Sequence, residues 1–410
     1  MKSAASCIAM MITWICTIVS DESHSPPDWN WPMFRGNGSS HAIGQELPKS
    51  WSNDSLKWKT EIGGIGQSSP VGWKDRLFTT SVKGKSKEIL VVSCFQLRDG
   101  TELWTYEQDS AIRSEVSDYS SWAAPTPVVD GKRVYAFFED GDLFAITHRG
   151  EMVWKKDLRG SIGPFEGNHG LGASPILTRK GLVLSLDHEG QSFLISVDKE
   201  NGNLQWQTKR QTSSAWASPS LISTNGREII VISASRTVIA YDASHGESLW
   251  EVTGIIGNNV PSVTISGNWM AIGSNRKGHC RVLRLKEGQV EEVWRSKEAS
   301  SSFGSPLIYK GRVYFVNKTG FLFCHDLKTG VLLYDYRLPS STWATPLAAG
   351  DHAWFFTQSG HTVILKASDE LEVASESSID IETKDRVFGY AIMNGHVVFR
   401  TKKQLICVGK

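Results

Sequence analysis

Two groups of side chains in this sequence have the types and spacing for binding or catalysis. The first lies in two long connections, residues 105–126 and 155–174, whereas later connections of the same kind hold only 10 to 12 residues. Long loops on a rigid scaffold commonly carry function. Their candidate ligand-binding residues are Arg113, Glu115, Trp122, Glu166, Asn168 and His169. They could hold a polar ligand or a peptide, or they could pack on each other and on the N-terminal segment.

The second group consists of large aromatic residues that stand three positions before the start of a repeated segment. They are Trp216, Phe303, Trp343 and Phe388. In the architecture derived below, this position points towards the mouth of a central channel. Flat aromatic faces suit carbohydrate or quinoid ligands. The alternative is that these rings plug the channel and pack between neighbouring sheets.

Sequence motifs of known catalytic mechanisms are absent. The chain has no HExxH or His–x–His pair, and no GxSxG, P-loop or dinucleotide-binding glycine pattern in a suitable context. The carboxylates at 139–142 and 187–189 fall in predicted hairpin turns, where such groups usually accept turn N–H groups. We therefore assign no catalytic residue and no metal site from the sequence.

The elements that position these residues are short repeated strands. Residues 304–334 contain four apolar runs separated by turn residues, which predicts a four-stranded antiparallel meander. The unit recurs, with an opening Pro eight positions before an aromatic or β-branched residue, as in Pro70 to Phe78. The last strand of most units carries a Trp: Trp104, Trp154, Trp206, Trp250 and Trp294. A period of about 40 to 50 residues with four strands per unit is typical of a β-propeller.

Counting these units gives eight blades. Pro261 to Trp269 marks the fifth, and Ala391 to Phe399 marks an eighth with only three strands after it begins. Residues 55–62 supply an unpaired strand, with Trp58 in the blade-terminal position. We therefore predict an all-β fold, an eight-bladed β-propeller of four-stranded antiparallel blades. Its last blade is closed by the N-terminal strand, which hides a strand edge.

The sequence divides into residues 1–20, 21–50 and 51–410. Lys2, the apolar run 7–19 and the small residue Ser20 are typical of a secretory signal peptide, with an uncleaved anchor as the alternative. Residues 21–50 are rich in Pro, Ser, Gly and Asn and predict an arm that wraps or caps the propeller formed by residues 51–410. We expect an exported protein of the periplasm or cell envelope, with no membrane span once the signal is removed.

The net charge and the positions of the cysteines further limit which partners and which chemistry we expect. The formal net charge is +1 and no basic stripe stands out, which argues against nucleic acid. Four cysteines follow the signal region: Cys94, Cys280, Cys324 and Cys407. Each falls on the third strand of a different blade, where other blades carry small residues such as Ala145. We therefore expect four buried free thiols.

Almost the whole of residues 51–410 resembles the pyrroloquinoline-quinone (PQQ) type of propeller repeat. The shared pattern is (Ala/Ser/Thr)–Pro, Gly–Arg–Val–Tyr and Asp–x–x–Thr–Gly–x–x–x–Trp, matched best by residues 197–206, 241–250 and 324–334. That repeat occurs in quinoprotein alcohol dehydrogenases and in the outer-membrane assembly lipoprotein BamB. The WPMFRG segment at 31–36 also resembles exported proteins of planctomycete-type bacteria. The resemblance implies the fold strongly and the function weakly.

The resemblance also implies what a quinone cofactor would need. In quinoprotein dehydrogenases of this fold, the quinone lies against a disulfide between adjacent cysteines, beside a carboxylate-bound calcium ion. This sequence contains no Cys–Cys pair. We therefore expect no cofactor, and PQQ with calcium is kept as the alternative.

The leading hypothesis is an exported, monomeric scaffold without catalytic activity that binds an envelope protein segment or a polysaccharide. The alternative is an enzyme, either a quinoprotein-type oxidoreductase or a glycan-acting lyase or hydrolase. A glycan-acting enzyme should bring carboxylates and a base together in one pocket near Glu166 and His169.

Overall fold

The computed structural model describes residues 30–110, 123–167, 169–224, 226–257, 260–286 and 288–409. In this part of the chain, helical structure is limited to a 3₁₀ turn, Asn53–Ser55, and a five-residue helix α1, Leu158–Ile162. No helix within these ranges is long and apolar enough to cross a membrane. The predicted signal region, residues 1–20, lies outside the described residues.

Eight four-stranded antiparallel sheets make up the fold, as predicted. The first strand among the described residues is β1 (Leu56–Glu61), and it does not belong to the first blade. Blades 1 and 2 comprise β2 (Val71–Trp73), β3 (Arg76–Lys83), β4 (Ile89–Gln96) and β5 (Glu102–Asp109), then β6 (Val128–Val129), β7 (Arg133–Phe137), β8 (Asp142–Thr147) and β9 (Met152–Asp157). Blades 3 and 4 comprise β10 (Ile176–Leu177), β11 (Leu182–Leu186), β12 (Ser192–Val197) and β13 (Leu204–Arg210), then β14 (Ser220–Thr224), β15 (Arg227–Ala234), β16 (Thr237–Asp242) and β17 (Ser248–Thr253).

The second half of the ring repeats the same order, with the innermost strand first. Blades 5 and 6 comprise β18 (Thr264–Ser266), β19 (Trp269–Ile272), β20 (Arg281–Lys286) and β21 (Gln289–Arg295), then β22 (Leu307–Tyr309), β23 (Arg312–Val316), β24 (Phe321–Asp326) and β25 (Leu332–Arg337). Blades 7 and 8 comprise β26 (Leu347–Ala349), β27 (His352–Phe356), β28 (His361–Lys366) and β29 (Val373–Ser378), then β30 (Gly389–Met393), β31 (His396–Arg400) and β32 (Gln404–Gly409).

The N-terminal strand closes the ring, as predicted. Strand β1 is the outermost strand of blade 8 and pairs antiparallel with β32, so that Trp58 lies opposite Cys407. The Nε1 of Trp58 donates to the carbonyl of Leu97 in blade 1 at 2.8 Å. The two ends of the propeller are therefore joined within one sheet, and the edge of β32 is covered.

The strand register predicted from the sequence is wrong in blades 5 and 8, although the predicted number of blades is correct. In blade 6 the first ladder pair joins Leu307, one residue after the opening Pro, to Tyr314. The equivalent pair in blade 5 is Thr264 with Ala271, so Val263 holds the opening place rather than Pro261. In blade 8 the hairpin turn places Tyr390, not Ala391, in the opening position. Neither blade has a Pro at the opening position, so the prediction started two residues too early in blade 5, at Pro261, and one residue too late in blade 8, at Ala391.

The Trp of each outer strand packs against the next blade in most of the ring. Trp206 of β13 donates from Nε1 to the carbonyl of Ala243 at 3.3 Å, across the gap to blade 4. Its ring lies over Gly246, whose φ of +74° is a left-handed conformation that favours glycine. The same contact recurs as Trp104 on Gly150 and Trp294 on Gly330. One aromatic plug per interface therefore holds neighbouring sheets together.

The four described cysteines are free and buried, as predicted. Cys94 lies opposite Trp104 in the ladder, and Cys324 lies opposite Tyr334, just as Ala145 lies opposite Trp154. Cys94 and Cys324 therefore take the place of a small core residue, whereas Cys280 lies one residue before β20 and not on a third strand, contrary to the prediction. Burial raises the pKa of each of the four thiols to about 12.

The described part of the arm, residues 30–50, crosses the central channel. Trp31 exchanges two backbone hydrogen bonds with Gly72 of blade 1, at 3.0 and 2.8 Å. Arg35, four residues later, donates to Thr264 of blade 5. Blades 1 and 5 are opposite each other in a ring of eight, so this segment spans the channel. The arm then bonds to blade 7, where the N–H of Ala42 donates to the inner strand.

Candidate functional site

The central channel holds a cavity of about 460 Å³. Each blade contributes a residue from the segment just before its innermost strand: Gln67, Ala124, Gly172, Trp216, Val260, Phe303, Trp343 and Phe388. Phe34 and Arg35 of the arm also line the cavity. The cavity therefore lies between a mouth formed by blade connections and the arm that crosses the channel further along the inner strands.

A ring of Ser and Thr hydroxyls surrounds the channel at the start of the innermost strands. We call it the hydroxyl ring; its members are Ser69, Thr126, Ser174, Ser218, Ser262, Ser305 and Thr345. The backbone N–H of each member except Thr345 donates to the hydroxyl of the next, with N···O distances between 2.9 and 3.1 Å. Gly389 takes this place in blade 8, because a Cβ there would overlap with the Ser69 hydroxyl.

The arm places a cation at the cavity. Arg35 is 4% exposed, and its guanidinium donates to the Thr264 hydroxyl at 2.8 Å, the Ser220 hydroxyl at 3.1 Å and the Val263 carbonyl at 2.9 Å. All three of these partners are neutral oxygens. The buried Nε of Arg35 has no hydrogen-bond partner among the described residues. Burial lowers the pKa of Arg35 to about 10, which leaves it positively charged at neutral pH.

Three of the four predicted mouth aromatics come together. Phe303 and Trp343 are stacked, with ring centroids 4.3 Å apart and an interplanar angle of 13°. Phe388 meets Trp343 edge-on at 5.5 Å. We call these three residues of blades 6 to 8 the aromatic rim. Trp216 is separate: its ring contacts His169 at 5.8 Å, and its Nε1 donates to the Gly170 carbonyl at 3.3 Å.

The structure describes only some of the candidate residues in the two long connections. Arg113, Glu115, Trp122 and Asn168 lie outside the described residues. His169 lines the cavity, whereas Glu166 is exposed and is not among the lining residues. The backbone N–H of Glu166 donates to Nδ1 of His188 at 3.0 Å. The carboxylate that shares the cavity with His169 is instead Glu139, which is buried and accepts the Ala124 N–H at 3.0 Å.

The turn carboxylates at 139–142 also have a structural role. Arg159 of α1 lies 3.8 Å from Asp140, 3.3 Å from Asp142 and 2.8 Å from Asp157. Burial, and then the neighbouring Asp140, raise the pKa of Asp142 to about 7. These three aspartates tie α1 to the second hairpin of blade 2 and do not line the cavity, unlike Glu139 of the same turn.

The second predicted turn cluster contains a buried ion pair. Asp187 accepts two hydrogen bonds from Arg210, at 2.7 and 3.0 Å, and the third nitrogen of Arg210 donates to the Tyr241 hydroxyl at 2.7 Å. Among the described residues, no group of three or more His, Cys, Asp or Glu side chains is arranged to hold a metal ion. The residues implied for a quinone do not fit either, since the sequence has no Cys–Cys pair and the described thiols are buried in the blades.

Sequence reasoning missed the polar half of this site. The hydroxyl ring has a visible signal, because six of its members directly precede a blade-opening Pro, as in Ser69–Pro70 and Thr345–Pro346. Arg35 has no such signal, since it belongs to the arm and no periodic pattern includes it. Val260 was missed because the predicted register of blade 5 was two residues out of step.

Comparison with known proteins supports both the fold and its family. A family model described as outer membrane protein assembly factor BamB matches residues 87–330 and 147–378. A Yersinia pestis protein of that name is 19% identical over 270 residues, which is 65% of this chain. The chain spans 62% of that relative's length.

Solved structures with low sequence identity share the fold. BamB from Moraxella catarrhalis superposes with a TM-score of 0.63 at 14% identity, over 86% of this chain and 98% of that one. The quinohemoprotein alcohol dehydrogenase of Comamonas testosteroni gives 0.67 at 11% identity, over 93% and 81%. At these identities the structural likeness shows the architecture alone. The family model covers well over half of the sequence, and the chain therefore belongs to the family of the outer membrane protein assembly factor BamB.

Proposed function

We propose that this protein is an exported scaffold of the cell envelope, without catalytic activity, whose channel mouth binds a segment of another envelope protein. The relatives are named for assembling outer membrane proteins, and we carry over to this chain the binding of a protein of the envelope. The protein acts as a monomer in this proposal, in the periplasm, after its N-terminal signal has been removed.

The observation that carries the proposal is the aromatic rim. Phe303 and Trp343 are only half-buried although they stack on each other, and they border the channel cavity. Partly exposed aromatic side chains beside a well-formed pocket are the groups that most often anchor a protein partner. The rim spans three blades of a rigid ring, so binding would need little rearrangement of the scaffold.

Site-specific photo-crosslinking in envelopes of the source organism tests this proposal. A photoreactive phenylalanine analogue is placed at Trp343, in the rim, or at Phe321, which is on blade 6 and 42% exposed. We expect protease-sensitive adducts from position 343 and few from position 321. Identification of the adducts by mass spectrometry would name the partner.

Three results would contradict the proposal. One is equal labelling from both positions, which would mean that the rim has no preference for a partner. Another is an adduct that resists protease and is removed by glycan-degrading enzymes, since this would identify a polysaccharide as the ligand. The third is the absence of adducts from position 343.

A further inference from the structure

We infer that the cavity recognises the C-terminal carboxylate of a polypeptide, with Arg35 as the group that binds the anion. This inference deepens the proposed function and rests on it, because the chain end would enter through the same mouth. Three features of the cavity support it: an uncompensated cation, a ring of hydroxyl donors and a channel that is crossed at its far side.

The charge of Arg35 is the first feature. An ion transferred from water to a protein interior is costly unless an opposite charge or a full set of hydrogen bonds compensates it. Arg35 is buried, its bonded partners are neutral oxygens, and its Nε has no partner among the described residues. Glu139 also lines the cavity, but it belongs to blade 2, whereas Arg35 bonds to blades 4 and 5. An arriving anion would supply the missing compensation.

The hydroxyl ring is the second feature. Each hydroxyl from Thr126 round to Thr345 already accepts an N–H from the preceding blade. No described residue accepts a hydrogen bond from these hydroxyls in return, so their own protons remain for a ligand. Six members of the ring, Ser69 and Thr345 among them, line the cavity. The guanidinium of Arg35, together with these hydroxyl donors, can bind the oxygens of a carboxylate and of peptide carbonyls.

The shape of the cavity favours a chain end over an internal segment. The arm crosses the channel between blades 1 and 5, so an extended polypeptide entering from the mouth meets Arg35 and Phe34. Trp216 at the mouth and Ser220 beside Arg35 are four residues apart, which is at most about 14 Å of extended chain. The last three or four residues of a peptide would fill this depth. Their apolar side chains would reach the aromatic rim.

Calorimetric titration of the wild-type protein with paired peptides tests the inference directly. The probes are a five-residue apolar peptide that ends in phenylalanine, once as the free acid and once as the C-terminal amide. We expect the free acid to bind about tenfold more tightly or better, as for a hydrogen bond to a charged group. This comparison needs no substitution and therefore does not depend on the folding of a variant.

Two substitutions locate the effect. Arg35→Met keeps the length of the side chain and removes the charge, and it should bring the affinity for the acid down to that for the amide. Arg284→Met is the matched control, because Arg284 is exposed on blade 5 and packs over Trp269 outside the cavity. It should keep the preference for the acid. Trp343→Ala should weaken both peptides by a similar factor.

Each other outcome overturns the inference in a distinguishable way. If acid and amide bind equally and both need Trp343, the carboxylate assignment fails while the proposed function stands. If neither peptide binds at millimolar concentration, the assignment to a chain end fails, and crosslinking from the rim still tests the proposed function. If phenylacetate alone binds in an Arg35-dependent way and the peptides do not, the site accepts small carboxylates rather than polypeptides.

Discussion

The contact between each outer-strand Trp and the next blade can be tested with a pair of glycine substitutions. Gly246 and Gly311 both have left-handed backbones, with φ of +74° and +78°. Alanine at either position costs about 1–2 kcal/mol from backbone strain alone. A Cβ on Gly311 meets nothing within 4 Å, whereas a Cβ on Gly246 would overlap with the Trp206 ring and lie 2.5 Å from Thr208 Oγ1.

The difference between the two variants isolates the interblade contact. Gly246→Ala must displace Trp206, which overpacks a core contact at about 1–3 kcal/mol. It also disturbs two hydrogen bonds, from Trp206 to Ala243 at 3.3 Å and from Thr208 to Gly246 at 2.7 Å, each contributing about 1 kcal/mol. We therefore expect Gly246→Ala to lower the free energy of unfolding by about 2–4 kcal/mol more than Gly311→Ala, measured by urea denaturation.

A double-mutant cycle completes this test. In a Trp206→Ala background the overlap with the ring is gone and only the close approach to Thr208 Oγ1 remains, so Gly246→Ala should cost clearly less than it does in the wild type. Equal destabilisation by the two glycine substitutions, within about 0.5 kcal/mol, would refute the role assigned to the Trp. So would a Gly246→Ala cost that stays the same with and without Trp206.

Further predictions concern ring closure, a buried histidine and the thiols. Trp58→Ala should cost about 3–5 kcal/mol and speed hydrogen exchange in β32, whereas Leu103→Ala, at a side chain 42% exposed on an outer strand, should change stability by less than about 0.5 kcal/mol. Burial lowers the pKa of His325, so the unfolded state binds its proton more readily. The free energy of unfolding should therefore decrease as the pH falls below about 6.5, by up to about 1.4 kcal/mol per pH unit. His325→Gln should make this decrease smaller, as measured by urea titrations between pH 7.5 and 5. The described thiols should not react with a disulfide reagent at pH 8 until the protein is denatured, since each has a pKa of about 12.

The fold could be predicted from the sequence because its information is local and repeated. Strand length, turn glycines and the outer Trp recur in each unit, so an error in one unit leaves the others intact. The register failed only in blades 5 and 8, whose innermost strands begin at Val263 and Tyr390 instead of a Pro. Even there the hairpin was expected, and only its alignment was one or two residues out of step.

The candidate site was predictable in its apolar half alone. Phe303 and Trp343 stand three positions before the start of their blades, so counting along the chain finds them, whereas Phe388 stands two positions before Tyr390 and was found through the misplaced register of blade 8. His169 and Glu139 were both visible as loop and turn residues, but nothing in their spacing indicates that the first meets Trp216 and the second accepts the Ala124 N–H. The first pair joins the connections of neighbouring blades, and the second joins a turn of blade 2 to the connection that precedes that blade, so both depend on how the folded chain brings distant loops together.

The sequence by itself determined the number of blades, their order and the strand that closes the ring, because hairpin pairing and turn chemistry act over a few residues. Only the tertiary structure decided that Arg35 lies in the channel beside Ser220 and Thr264. The arm reaches that place by crossing the axis, and the path of a segment without periodicity is set by the surfaces it crosses. A buried cation facing a ring of hydroxyls therefore appears only when the whole circle is closed.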